Sequence, residues 1–284
     1  MARPRRPGAD LVAAPVKAGH DQAGHRVRLE WGPAGGAAVA AGADVAVVVD
    51  VLSFTTTVSI AVERGIRVWP FGWHDERAAT YAAELDAVLA VGRLEARERP
   101  RQHAPDQPPR DRPVTLSPAA MRSVSGVERL VLPSPNGSTV SAALAERGAV
   151  VVAACLRNRA AVASWLAPRV EAGATVAVVP AGERWPDGSL RPCAEDLWGS
   201  GAVLAGLLDL DGAVAGVLSP EADVAVAAWR AVEHDVEARL HACASGVELV
   251  AAGFGADVAV AAETDVSDVV PVLSDAAFGA ARRH

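Results

Sequence analysis

Short valine-rich runs alternate with alanine-rich stretches whose apolar positions recur at helical spacing, and this rhythm holds over most of the chain. The runs "RVRLEW", "DVAVVVD", "IRVWPF", "ERLVLPS", "AVVVAAC", "ATVAVVP" and, late, "ADVAVAAE" read as strands. Helices are expected at Thr56 to Arg64, Asp75 to Val91, Ser138 to Arg147, Arg157 to Val170, Ala194 to Leu208 and Pro220 to Asp235. Near-continuous apolar strands separated by helices are the pattern of a largely parallel sheet covered on both faces, an α/β fold whose ligands lie at the carboxyl ends of the strands. From Leu94 to Pro118 dense proline and charge break the rhythm, and this segment reads as a long loop, disordered or a functional lid. "TVSIAVERGIRV" from Thr57 and "TVSAALAERGAVV" from Thr139 echo each other. Either two related βαβ units or an alanine-rich composition explains the echo.

Composition narrows the classes. With 284 residues, 51% of them hydrophobic, the chain can bury a sizeable core in one domain from residue 25 to 284, with two halves at about 25–125 and 126–284. Residues 1–24 read as a flexible extension. A net charge of -7 argues against nucleic acid, and no apolar run is long enough to span a membrane, so small molecules or protein surfaces are the expected partners. Three cysteines without CxxC spacing fit a reducing cytoplasm. Lysine occurs only at Lys17, which rules out a GxxxxGK phosphate loop; GxSxG and HExxH are also absent. The Ala- and Gly-rich helices favour a homodimer.

Four stretches fall where strands end and helices begin. In "DVLSFTTT", Asp50 ends a buried strand; it takes a cation or bonds loop amides, since Ser53, Thr55 and Thr56 already offer capping oxygens. "PNGST" sets Asn136, Gly137, Ser138 and Thr139 at a helix start, as a phosphate cradle or a plain Asn-Gly turn. In "CLRN", Arg157 and Asn158 enter a helix, and Arg157 is an anion clamp or an ordinary surface arginine. "PAGERWPDGSLRPCAED" carries Gly182, Glu183, Arg184, Glu195 and Asp196. One of its paired acids is explained by the helix dipole, while two suggest Mg²⁺. The glycines of "GSGAVLAG" fall within a helix and serve close packing.

Taken together and in order, these blocks, with the tail "GVELVAAGFGADVAVAAETDVSDVVPVL", resemble the 2-phosphosulfolactate phosphatase family, the ComB-like proteins, from about His25 to Leu273. The resemblance implies a ComB-like α/β fold and a Mg²⁺-dependent phosphatase acting on 2-phospho-3-sulfolactate in coenzyme M synthesis. It carries over Asp50, Asn136, Gly137, Asn158, Gly182, Glu195 and Asp196. On this basis Mg²⁺ falls to Asp50, Glu195 and Asp196. Phosphate falls to Gly137, Ser138, Thr139 and Asn158, with Ser53, Thr55, Thr56 and Gly182 lining the substrate and Arg157 or Arg184 supplying the remaining charge. The chain departs from the family where relatives continue Asp-Val-Leu with arginine and this sequence has Ser53, and again in "VGRLEAR" and "TLSP". A phospho-aspartyl route would want a second acid two residues after Asp50, where Leu52 stands, so water is the expected nucleophile. The other reading is a phosphate- or sulfonate-binding homologue without turnover.

Overall fold

The valine runs become strands because both of their faces are covered. The structure is a computed structural model that describes residues 17–72, 76–98, 113–210 and 216–282. Most of the expected extension (1–16) and the middle of the proline-rich segment (99–112) lie outside the described residues. The strands are β1 (Val27–Leu29), β2 (Val45–Val49), β3 (Arg67–Phe71), β4 (Val88–Leu89), β5 (Arg129–Pro133), β6 (Val150–Ala154), β7 (Val176–Pro180), β8 (Glu183–Arg184), β9 (Leu190–Arg191), β10 (Pro271–Ser274) and β11 (Ala277–Ala280). Nine form one sheet in the order β1-β7-β2-β6-β10-β11-β3-β5-β4, and β8 with β9 makes a separate hairpin.

The helices are α1 (Gly32–Val39), α2 (Phe54–Glu63), α3 (Glu76–Glu84), α4 (Arg93–Glu98), α5 (Pro118–Met121), α6 (Gly137–Ala145), α7 (Arg159–Glu171), α8 (Ala194–Asp209), α9 (Pro220–Arg230), α10 (Val236–Ala242), α11 (Ala244–Ala251) and α12 (Gly255–Ala262). Period-two alternation divides β2 between them. Val45, Val47 and Val49 pack with residues of α7, α8 and α9, such as Leu166, Leu204 and Trp229. Ala46 and Val48 face the other way, toward Val58 of α2 and Val140 and Leu144 of α6. Every residue of β2 is therefore buried, which the unbroken apolar run required.

The sheet is two parallel groups facing in opposite directions. β1, β7, β2 and β6 run together, as do β3, β5 and β4, and the antiparallel β10–β11 hairpin joins the groups through β6 and β3. The echoing segments are the two crossovers between the groups: α2 carries the chain from β2 to β3, and α6 from β5 to β6. Each sequence range, 25–125 and 126–284, thus contributes strands to both groups.

Two expected elements change type. "ADVAVAAE" is helix α12, because alanine favours helix and the buried positions Val258, Ala261 and Ala262 share one helical face. The last strands come later, at β10 and β11, joined by Asp275 and Ala276, both at positive φ (50° and 63°) in the manner of a tight hairpin turn. The helix expected from Asp75 to Val91 ends at Glu84; Asp86 turns the chain at φ 49° and β4 follows, parallel to β5. Sequence periodicity also passed over α1, α10 and α11, which are short or glycine-rich.

Candidate active site

Asp50 follows the last residue of β2 and is 7% exposed. Its carboxylate accepts from two helix starts: Oδ1 from the Phe54 amide of α2 at 3.0 Å, and Oδ2 from the Gly137 amide of α6 at 2.9 Å. β2 and β5 stand five places apart in the sheet, about 24 Å if it were flat, and the three residues between β5 and Gly137 span roughly 10 Å at most. The contact is therefore made by the tertiary path of the chain and not by neighbouring strands. The close approach also needs glycine: a Cβ on residue 137 would strike the Phe54 ring and lie 2.7 Å from Asp50 Oδ2.

The hydroxyls around Asp50 do not cap α2, contrary to the sequence expectation. Thr55 donates to the Asp50 carbonyl (2.8 Å), Thr56 to that of Val51 (2.8 Å) and Thr57 to that of Leu116 (3.3 Å), while Ser53 makes no capping bond. All four residues are buried. They tie the strand end to the helix start and leave the capping to Asp50. On the α6 side, Ser138 donates to the Leu132 carbonyl (2.9 Å) and Thr139 to that of Gly72 (3.2 Å), so what this helix start can present is amide rather than hydroxyl.

A second carboxylate repeats the arrangement. Asp196, in the first turn of α8, accepts from the Val51 amide at 2.8 Å and the Gly182 amide at 2.9 Å. Gly182 has φ +63°, a conformation that glycine adopts at no steric cost. α8 comes this close because Gly199 has no side chain; a Cβ there would be 2.6 Å from Val51. Asp50 and Asp196 therefore flank one peptide, and Glu195, 3% exposed, lies beside them.

Crowded acids resist ionisation. Burial, outweighing its two amide bonds, pushes the Asp50 carboxyl up to about 6, with Glu183 adding to the rise and Arg93 opposing it. Asp196 is raised well above the usual carboxylate range, first by burial and then by the charges of Asp50 and Glu195. Ligand atoms of Glu183, Cys193 and Glu195 lie within 4.8 Å of one another. Burial raises the Cys193 thiol, and the neighbouring acids raise it further; burial, and then the Glu195 charge, push the Cys243 thiol up to about 12. Both thiols are thus neutral, and the oxygens of this cluster suit a hard divalent cation.

The family model for 2-phosphosulpholactate phosphatase matches residues 37–276, a span that holds every residue of this cluster. The chain belongs to the 2-phosphosulfolactate phosphatase family. It is 36% identical over 231 residues to a "Probable 2-phosphosulfolactate phosphatase" of Parasynechococcus marenigrum (strain WH8102), covering 80% of this chain and 88% of that protein. Proteins with the same name from Synechococcus sp. (strain CC9605) and Microcystis aeruginosa (strain NIES-843 / IAM M-2473) are 33% and 27% identical, over 80% and 82% of this chain and 88% and 90% of theirs.

In this member of the 2-phosphosulfolactate phosphatase family, some expected site residues lie apart from the acids. Asn158 is fully buried; its side chain accepts from the Cys155 amide (2.9 Å) and donates to the carbonyls of Val269 (3.0 Å) and Ala153 (3.3 Å), stapling β6 to the segment before β10. Arg157 is ion-paired with Glu63 and Glu263. Arg184 is exposed on the β8–β9 hairpin and donates to the Gly188 carbonyl (3.2 Å). Asn136, by contrast, immediately precedes Gly137, whose amide bonds Asp50; it is half-buried at the N-cap of α6 without capping it through its side chain.

Other residues enter that the sequence did not single out. Arg93, the first residue of α4, donates to the Ser53 hydroxyl and pairs with Asp257 of α12 at 2.7 Å. Asp257 is held by the Ser117 hydroxyl (2.5 Å) and the Ala119 amide (3.2 Å). Arg191 pairs with Glu183. The departing stretches "VGRLEAR" and "TLSP" were the available signal, because they contain Arg93 and Ser117.

Proposed function

We propose that this chain is a metal-assisted phosphatase that hydrolyses the phosphate monoester of a small phosphorylated acid such as 2-phospho-3-sulfolactate. The observation that supports it best is Asp50, a buried carboxylate held between the starts of α2 and α6 with Asp196 and Glu195 beside it. Helix starts present amide donors and a positive dipole end to a phosphoryl group. The carboxylates of Asp50, Asp196 and Glu195, with Glu183 at their edge, would hold Mg²⁺. The raised proton affinity of Asp50 and Asp196 is the strain that such an ion relieves. When bound, Mg²⁺ supplies charge neutralisation at the phosphoryl oxygens.

The chain's own residues then have two tasks. The α6 amides orient the phosphoryl group, and a buried carboxylate takes the proton of the attacking water. Water oxygen bonds to phosphorus while the phosphorus–oxygen ester bond breaks. The electron pair stays on the substrate's oxygen, which takes up the proton that the carboxylate accepted and leaves as the free hydroxyl. Release of inorganic phosphate from 2-phospho-3-sulfolactate and p-nitrophenyl phosphate, with and without Mg²⁺, tests the proposal. Failure of the wild type on a panel of phosphorylated hydroxy acids overturns it, and phosphate binding by calorimetry without turnover would favour a non-catalytic binder.

The same acids fix the pH dependence of stability without metal. Asp50 and Asp196 bind protons more tightly in the folded chain than in the unfolded one, so their contribution is fully present below about pH 4. It is lost as pH rises towards 6 and beyond, on the order of 3 kcal/mol for Asp50 alone. Melting in EDTA should accordingly fall from pH 4 to pH 7, and Mg²⁺ should restore most of the loss at pH 7. A melting temperature that rises over that interval in EDTA would contradict the electrostatics.

A further inference from the structure

A phosphoryl group brings about two negative charges into a cleft that already holds Asp50, Glu183, Glu195 and Asp196. A cation of the chain itself would share that charge with Mg²⁺, and the arginines expected to do so point elsewhere: Arg157 is committed to Glu63 and Glu263, and Arg184 sits on the exposed hairpin. Arg191 directs both Nε and Nη2 at Glu183.

Arg93 differs from these. Its side chain is 13% exposed, its Nε lies 2.7 Å from Asp257 Oδ2, and its guanidinium rests 5.7 Å from the centre of the Phe254 ring. Nη2 donates to the hydroxyl of Ser53, the residue that opens α2. Its charge is felt at Asp50 itself. The guanidinium is thus anchored by a carboxylate at Nε, while Nη2 rests on a neutral hydroxyl at the mouth of a helix start. A hydrogen bond to a charged oxygen is about twice as strong as one to a neutral oxygen, so an arriving anion displaces Ser53 without disturbing the anchor. Asp257 is fixed on its other oxygen, Oδ1, by Ser117 and Ala119, which leaves Oδ2 to hold Arg93 in register.

We propose that Arg93 binds a non-bridging phosphoryl oxygen of the substrate, with Asp257 as its positioning residue. This inference rests on the phosphatase reading and adds the phosphoryl-binding cation to it. Transition-state charge on the equatorial oxygens makes that position matter for turnover as well as binding.

Calorimetric titration with inorganic phosphate in the presence of Mg²⁺ tests the assignment. Arg93→Gln should weaken phosphate binding, and raise KM, by about 10- to 100-fold, the effect of losing one charge-assisted hydrogen bond. The Mg²⁺-induced rise in melting temperature should persist. The exposed Arg230→Gln, which loses an ion pair with Asp209, should bind as wild type. The exchange Ser53→Arg with Arg93→Ser returns a guanidinium to the same contact and should recover most of the binding. If Arg93→Gln does not fold, Arg93→Lys keeps the charge and the Asp257 pair but not the fork, and should lose affinity by a smaller factor. Phosphate binding unchanged in a folded Arg93→Gln, or in Arg93→Lys where Gln does not fold, overturns the role of Arg93 alone. A wild type that neither binds nor releases phosphate overturns the phosphatase reading and this inference with it.

Discussion

Asp50→Asn is expected to abolish phosphate release and the Mg²⁺-dependent rise in melting temperature, while the metal-free variant should melt close to wild type at pH 7. Asparagine keeps one oxygen for Phe54 or Gly137 but turns an NH₂ towards the other amide, leaving a buried donor unpaired at a cost of about 1–3 kcal/mol. It also removes a charge whose burial costs on the order of 3 kcal/mol at pH 7. The two effects are similar in size and opposite in sign. At pH 4, where wild-type Asp50 is protonated, only the first remains and the variant melts below wild type. Melting curves at both pH values, each with EDTA and with Mg²⁺, separate the contributions. Retained turnover in a folded Asp50→Asn would reduce Asp50 to a double helix cap.

Gly137→Ala should nearly silence the enzyme without changing any chemical group. The added methyl meets the buried Phe54 ring and Asp50 Oδ2, neither of which can retreat: Phe54 is fully buried against Phe278, and Asp50 is tied to two amides. α6 must back away instead, breaking its bond to Asp50. Overpacking of this kind costs about 1–3 kcal/mol of stability, and displacing donors by about 1 Å costs on the order of 100-fold in rate. Gly279→Ala is the control, since a Cβ there meets nothing within 4 Å. A Gly137→Ala enzyme with wild-type kcat would mean that the α6 start takes no part in orienting phosphate.

Much of the framework could be read from the chain itself. Apolar runs with no polar face had to be strands covered on both sides, and Asp50, Gly137, Gly182 and Asp196 each mark a strand end or helix start by residue type and order alone. Local chemistry also fixed the tight packing of α8, where only glycine at 199 lets the helix touch Val51. Periodicity failed where alanine filled both patterns. "ADVAVAAE" satisfied a strand reading, and its helical nature became plain only with Val258 and Ala261 packed in the core.

What the sequence could not decide was which side chains would meet. Whether a threonine hydroxyl faces a ligand or a carbonyl depends on rotamers set by packing, and Thr55, Thr56, Ser138 and Thr139 all turned to carbonyls. The meeting of Asp50 with α6, of Asp196 with Val51, and of Arg93 with Ser53 and Asp257 spans 40 to 164 positions along the chain. Residue type and spacing carry information over a few turns of helix or one strand. The order of the nine-stranded sheet and the two crossovers that exchange its halves bring those distant groups together, and only the tertiary structure contains them.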